Sequence, residues 1–509
     1  MVFTTIKYLV FFLIIFLLYY IVPKKMQWIV LFFANIYFYL CACTSLWHMI
    51  FIMAASVITY IGALIIEGIK KERHIYIKEK NTNLISEEEK KFNYKIDKKE
   101  KIVLIISIIL TAGMLVIIKY TGFVFENINI LLNSFNCDFK FIAPKFILPL
   151  GISFYTFMSI GYLVDVYKKE CNAEKNYFKY FLYISYFPHI LQGPIDKYKE
   201  LASQLASEKK FDYNNCVIAL YRITVGVFKK MVIADNLSTV ITSVTGNLND
   251  YYGINIFITI VLYAMQLYAD FSGYMDIAIG CSNMFGIKIA ENFYAPYFSK
   301  SVAEFWRRWH ISLGKWFRDY IYIPLGGNRV SKIKWIRNIF VVWLLTGIWH
   351  GSTWNFLIWG LYYGTILVVS KLLTPLYDKF YKKFPKIVES KIYSLFQMCR
   401  TFCFVLLGYF VFSVENLNQS IQMFKNMFCF SKESLTIRAL TSRECKISLI
   451  LGFAILFIYD ICLIKNINIY EKFRKIPQIV RWIIYIVGIS LIAILSAGGT
   501  AQEFLYFQF

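Results

Sequence analysis

The sequence predicts an all-α polytopic membrane protein, and three observations carry that reading. Of 509 residues, 58% are hydrophobic and 19% aromatic, with a mean hydropathy of +0.52. Apolar runs of about 20 residues, enough to cross a bilayer, recur along the chain. Lysine and arginine gather between those runs, as the positive-inside rule asks of cytoplasmic loops. The formal net charge of +23 would suggest a nucleic-acid partner in a soluble protein. Here the loop bias explains most of it, and no nucleic-acid motif accompanies it.

The first three runs, about 4–22, 27–44 and 47–69, are long enough to span. No small-residue cleavage site follows the first, since Tyr19-Tyr20-Ile21-Val22-Pro23 does not resemble one, so it reads as a retained span. Lys70–Lys101 is polar, with mixed charge and a basic excess, and reads as a cytoplasmic loop, partly helical or disordered. With that loop inside, Lys24-Lys25 is also inside and the N-terminus is outside. A span at about 102–119 leads out, residues 120–145 lie outside, and about 146–167 returns to Lys168-Lys169 at the inner face.

From 177 to 335 simple hydropathy stops working, because Pro188, Gly193, Pro194, Asp270, Gly273 and Asp276 interrupt the apolar pieces. Broken helices survive at membrane depth only where they are buried in protein or line a cavity, which places the catalytic core here. Spans follow at about 336–350, 353–370, 393–414, 446–464 and 480–498. The basic loops 371–392 and 465–481 fall inside and the C-terminus outside. The expected domains are 1–145, N-terminal spans with the loop 70–101; 146–375, the core; and 376–509, C-terminal spans.

Eleven cysteines are scattered with no CxxC pair and no zinc spacing, so no metal site is expected. Cys137, Cys429 and Cys445 fall in loops assigned to the outside, where a disulfide has the chemistry to form. No Gly-rich phosphate loop, GxSxG elbow or internal repeat stands out. Gly151, Gly161, Gly273 and Gly280 read as small residues for close helix packing.

Chemistry concentrates between Ser299 and Tyr363, which holds two of the five histidines, His310 and His350, each directly after a tryptophan. Taken as one helix, the first part puts Trp306, Trp309, Leu313, Trp316, Phe317 and Tyr320 on one arc and Glu304, Arg307, Lys315 and Arg318 on the other. Such a basic amphipathic piece lies at a membrane interface or dips in and turns back. It ends at a turn carrying Pro324, Gly326 and Gly327. The second part, Ile336 to Trp349, is apolar apart from Asn338 and Thr346, and breaks after His350 at Gly351-Ser352-Thr353. A neutral imidazole there suits a general base near neutral pH. Packing or capping for His310, and a satisfied structural role for His350, stay open on the residues alone.

EFWRRWHISLGKWFRDYIYIPLGGNR followed by LLTGIWHG resembles the membrane-bound O-acyltransferase family, and within it the bacterial alginate O-acetyltransferase-like branch. Further matches are LPLGISFYTFMSIGYLVDVYK (148–168), FPHILQGPI (187–195), YADFSGYMDIAIG (268–280) and ENFYAPYFSKS (291–301). The D-alanyl transfer protein of teichoic acid modification is a near relative whose branch usually lacks the IPLGGNR continuation. His189 departs from the pattern, since many relatives carry another polar residue there, and it reads as buried with a backbone partner. The resemblance implies a helical bundle with broken or re-entrant helices around a central tunnel. It also implies transfer of an acyl group from a thioester, with acetyl-CoA as donor substrate and no bound cofactor, to a polysaccharide hydroxyl. The partner it implies is a secreted or membrane-tethered acetyltransferase, and the setting is a bacterial plasma membrane.

In that frame His350 is the base and His310 positions the donor or handles a second proton. Trp306, Arg307, Trp309, Asp270, Asp276, Trp349 and Asn355 are candidates for the donor site or tunnel lining, with Asn355 or Trp349 as oxyanion donor. For Asp270 and Asp276, a structural ion pair with Arg307 or Arg308 is the preferred alternative. Asp165 and Asp196 are read the same way. A transporter shares the broken helices and buried charges, but no inverted repeat accompanies them. The orientation is testable. In a cysteine-free variant, a cysteine introduced at Ser86 should resist an impermeant thiol reagent in intact cells; labelling from outside would invert the topology.

Overall fold

The computed structural model describes residues 3–43, 45–80, 87–142, 144, 146–430, 433–437 and 443–496. Their secondary structure is helical, joined by turns, with one isolated antiparallel bridge between Phe293 and Trp309. Among the described residues, seven helices are long and apolar enough to cross a membrane, and Ile6–Ile21 and Leu449–Ile464 are shorter apolar helices. The protein is therefore a multi-pass, all-α membrane protein. The assigned outer C-terminus and the Cys445 side chain lie outside the described residues. Cys137 is a free thiol, so it forms none of the disulfides considered.

The chain packs as two compact units: Ile6–Tyr213 with Ser282–Ala290, and Asn214–Cys281 with the described residues up to Thr5 and from Glu291 onward. In the first, the segment read as a polar loop at 70–101 is helical on both sides of residues 81–86, which lie outside the described residues. Helix Trp47–Lys80 runs into it and helix Glu87–Ser134 begins in it. Lysine and glutamate are good helix formers, so charge does not end a helix that finds partners. Arg73 pairs with Asp97 and lies 3.5 Å from Glu100, and Tyr76 stacks on Phe92 at 3.8 Å. Glu87, Glu88 and Glu89 meet the positive end of their helix.

In the second unit, Tyr213–Phe228, a π-helical turn Lys229–Ala234 and Asp235–Thr245 follow without interruption beside helix Ile254–Met284. Apolar burial does little to join helices inside lipid, and small residues permit close approach. A Cβ on Gly226 would lie 2.6 Å from the Gly273 carbonyl oxygen, and one on Gly280 would lie 2.9 Å from that of Ala219. Gly273 and Gly280 thus serve helix packing as expected. Gly151 differs: with φ of 72° it starts helix Ile152–Tyr167, and its missing Cβ leaves room for the Ile190 carbonyl of a turn.

The glycine crossing brings buried charges together. Lys229 Nζ lies 2.7 Å from Asp276, Arg222 Nε lies 3.0 Å from the same carboxylate, and Lys230 Nζ lies 2.8 Å from Asp270 and 2.9 Å from Asp235. The expected ion pairs exist, but their cations are Lys229, Lys230 and Arg222 rather than Arg307 or Arg308. Partner choice follows a helix crossing that local sequence does not display.

Helices Lys332–His350 and Trp354–Leu372 form the hairpin that carries His350. A Cβ on Gly347 would strike the Phe356 carbonyl, and one on Gly360 would strike that of Trp343. Asn338 donates to the Leu325 and Gly327 carbonyls, each at 3.1 Å, tying the glycine turn to the hairpin. Gly347→Ala or Gly360→Ala should destabilise the protein by roughly 1–3 kcal/mol, because the helices must part. Gly68→Ala and Gly113→Ala, where nothing lies within 4 Å, should be neutral or slightly stabilising. Thermal unfolding in detergent compares the four.

Candidate active site

The stretch read as one amphipathic helix is two short helices, Val302–Arg308 and Ile311–Phe317, followed by a π turn Arg318–Tyr322. Ser301 caps the first by accepting from Glu304 N–H at 3.2 Å, while Glu304 accepts from Lys300 N–H at 2.9 Å. This reciprocal cap is visible in the sequence as Ser301-x-x-Glu304. The break falls on the WH pair: Trp309 is extended and His310 is left-handed, with φ of 46° and ψ of 53°. A non-glycine residue held there stores strain, and such residues cluster at functional sites.

Residues 292–294 hold the break open. Tyr294 N–H donates to Arg308 O at 3.0 Å, and Ile311 N–H donates to Asn292 O at 3.1 Å. The Asn292 side-chain oxygen accepts from Ser312 N–H at 2.8 Å, and its amide lies 3.5 Å from Met275 sulfur. Asn292 therefore grips the two residues after His310 by backbone and side chain. The sequence reading did not single it out. Its signal was one buried amide between two aromatic-rich blocks, meaningful only once the break at His310 is known.

His310 is 2% exposed and His350 5% exposed. Trp349 lies against both: its ring is 5.8 Å from the His310 ring and 4.9 Å from that of His350. Phe271 meets His310 edge-on at 4.9 Å, while Trp359 and Phe412 meet His350 at 5.0 and 5.3 Å. Gly351 is needed below His350, because a Cβ there would overlap the Phe356 ring. His310 lies outside the seven apolar spans, and burial pushes its imidazole well below the usual value, which keeps it neutral at physiological pH. Two buried imidazoles sharing one indole present ring nitrogens that can donate or accept a hydrogen bond to a substrate brought between the elements.

The other candidates divide. Trp306 packs on Trp343, Trp359 and Tyr363 at 4.8–5.4 Å, next to the His350 surroundings. Trp309 packs on Phe305, Phe293 and Tyr268 at 5.0–6.0 Å. Asn355 donates to Val414 O at 3.0 Å and to Ser420 Oγ at 3.4 Å, so its amide protons are directed at the chain itself. Asp270 lies in the Lys230 pair. Asp276 lines a cleft of ≈ 590 Å³ with Arg222, Lys229, Glu291, Arg307 and Arg308. Arg222 bridges Asp276 and Glu291, at 3.0 and 2.5 Å. Arg308 pairs with Glu304 at 2.6 Å. Arg307 is exposed and has no ion pair among the described residues. Among those residues no three His, Cys, Asp or Glu side chains converge as a metal site requires.

In the first unit, His189 is buried as expected, but neither ring nitrogen has a hydrogen-bond partner, backbone or otherwise, among the described residues. Its nearest charged neighbour is Asp196, at 3.9 Å. The expected backbone partner is therefore not found.

The family model for MBOAT, the membrane-bound O-acyltransferase family, matches residues 110–412. The chain is 35% identical over 346 residues to a probable alginate O-acetylase of Azotobacter vinelandii, covering 67% of this chain and 66% of that protein. It is 35% identical to a peptidoglycan O-acetyltransferase of Helicobacter pylori, covering 65% of this chain and 66% of that one. A teichoic acid D-alanyltransferase of Bacillus subtilis is 30% identical over 52% of this chain and 68% of its own length. The matches to the alginate O-acetylases thus span just under two thirds of those relatives' length, 66% and 61% in two of them.

The geometry at the break is testable by itself. His310→Gly should be more stable than His310→Ala by about 1 kcal/mol, since glycine takes the left-handed conformation without the Cβ clash. Asn292→Ala should cost about 1–3 kcal/mol through the stranded Ser312 N–H. Thermal unfolding of the purified variants reads both effects; equal stability of the two His310 variants would contradict the strained backbone.

Proposed function

We propose, from the premise that this chain belongs to the membrane-bound O-acyltransferase family, that it passes an acetyl group from a cytoplasmic thioester, acetyl-CoA, across the membrane for O-acetylation of an exported or cell-wall polysaccharide. The observation that carries the reading is the buried pair His310 and His350 on either side of Trp349. His350 acts as general base: it takes the proton of the attacking hydroxyl, whose oxygen bonds to the acyl carbon as the thiolate leaves and is protonated. Neutral His310 orients the donor's acyl end. Arg307, exposed in the basic cleft and without an ion pair among the described residues, suits the negative groups of a thioester carrier. Trp306, Trp309 and Trp349 supply the aromatic walls that keep water from the thioester. The relatives named for alginate and peptidoglycan O-acetylation support acetyl over D-alanyl transfer. A secreted or membrane-tethered acetyltransferase carries the group to the polymer, and the setting is the bacterial plasma membrane with the basic loops inside.

His350→Ala should lower polymer acetylation by about 10²–10⁴-fold while the protein still inserts and purifies folded. His310→Ala should also lose transfer, with weakened donor use. Ester-linked acetate on the exported polymer, measured beside thermal stability, checks both. Wild-type acetylation by a well-expressed His350→Ala protein would remove His350 from the mechanism, and ester-linked D-alanine in place of acetate would change the donor.

A further inference from the structure

The turn at Phe187–Gln192 in the first unit holds polar side chains that the acyl-transfer reading does not use. His189 is 1% exposed, Gln192 0% and Asp196 5%. Both ring nitrogens of His189, both amide atoms of Gln192 and Oδ2 of Asp196 are buried without a hydrogen-bond partner among the described residues. Buried polar atoms are nearly always paired, so five unpaired atoms on three neighbouring side chains call for a missing partner.

Loose packing does not account for them. Asn35 satisfies the adjoining backbone, accepting from Phe187 N–H at 2.9 Å and donating to Leu182 O at 3.4 Å. Gly193 N–H donates to His189 O at 2.7 Å, and a Cβ on Gly193 would overlap His189. Asp196 is held by both ends: its Oδ1 accepts from Ala290 N–H at 3.0 Å, and its carbonyl accepts from Tyr183 OH at 2.8 Å. Its second oxygen is left 3.9 Å from His189 Nδ1, close enough to orient the ring and too far to bond it. The backbone of the turn is held at several points, while five side-chain atoms beside it are left without a partner among the described residues.

We propose that His189, Gln192 and Asp196 form a second polar binding site that takes a neutral group able both to donate and to accept a hydrogen bond: a hydroxyl or an amide of a substrate. A neutral imidazole offers one donor and one acceptor, and the glutamine amide offers both, so such a group fits all three residues at once. Only the source of the group rests on the acyl-transfer reading: an amide belongs to the donor's carrier arm, a hydroxyl to the acceptor.

The test replaces the polar atoms at constant shape, as Gln192→Met and His189→Leu in the full-length protein. Removing unpaired buried polar atoms relieves their desolvation, so both variants should unfold at or above the wild-type temperature. Ester-linked acyl groups on the exported polymer should nevertheless fall at least tenfold. With acetyl-CoA as probe and thiol release as readout, a tenfold rise in KM assigns the amide of the donor, and a fall in kcat at unchanged KM assigns the acceptor hydroxyl. Wild-type acylation by the folded variants would overturn the site. So would a loss of activity that only tracks lost stability, since ordered water would then have filled a structural role. If wild-type protein releases no thiol from acetyl-CoA, the donor reading fails, and stability set against polymer acylation still decides this site.

Discussion

A polar group drawn into the interior of a membrane protein must find its partner within the chain, and most of this structure follows from how that requirement is met. In the second unit it is met by close helix approach. Gly226 and Gly273 bring two helices within reach, and only then do Lys229 and Lys230 meet Asp276 and Asp270. Buried ion pairs add little net stability but are severe on misplacement, because one lost partner strands a charge. The pairs therefore act as a register lock. The π turn at Lys229–Ala234 lets two consecutive lysines reach two carboxylates six residues apart on one neighbouring helix.

The same requirement governs the site. Breaking the chain at His310 leaves backbone donors without helical partners, and the segment from Asn292 to Tyr294 accepts and supplies the missing bonds. Strain at His310 is held by that clamp. It turns the imidazole towards Trp349, the residue next to His350. Two motifs separated by a turn and a whole helix thus meet at one indole.

Much of this was legible. Several spans follow from hydropathy, and residues around both histidines carry the family resemblance; the break expected at Asp270, Gly273 and Asp276 is not there, because helix Ile254–Met284 runs through them unbroken with both carboxylates paired to cations. The Gly326-Gly327 turn was readable because those residues adopt φ of 99° and 56°, which glycine takes without strain. Lys70–Lys101 was legible as partly helical, but hydropathy does not display the pairing of Arg73 and Tyr76 with the following helix. The helix break at Trp309–His310 was missed because the aromatic arc is equally periodic on either side of it.

By itself the sequence determined that the chain crosses a membrane and that its architecture is helical, and it marked the WH pairs at 309–310 and 349–350 as the candidates for its chemistry. Those properties are local, set by runs of apolar residues and by short motifs. Only the tertiary structure decided which cations meet Asp276 and Asp270, which lie 47 and 40 residues from Lys229 and Lys230. It also decided that Asn292 clamps the break, that Trp349 is shared, and that the side chains of His189 and Gln192 are buried without hydrogen-bond partners among the described residues. Each of these depends on how distant helices and turns pack, and side-chain partners are chosen by that packing and not by neighbours in the chain.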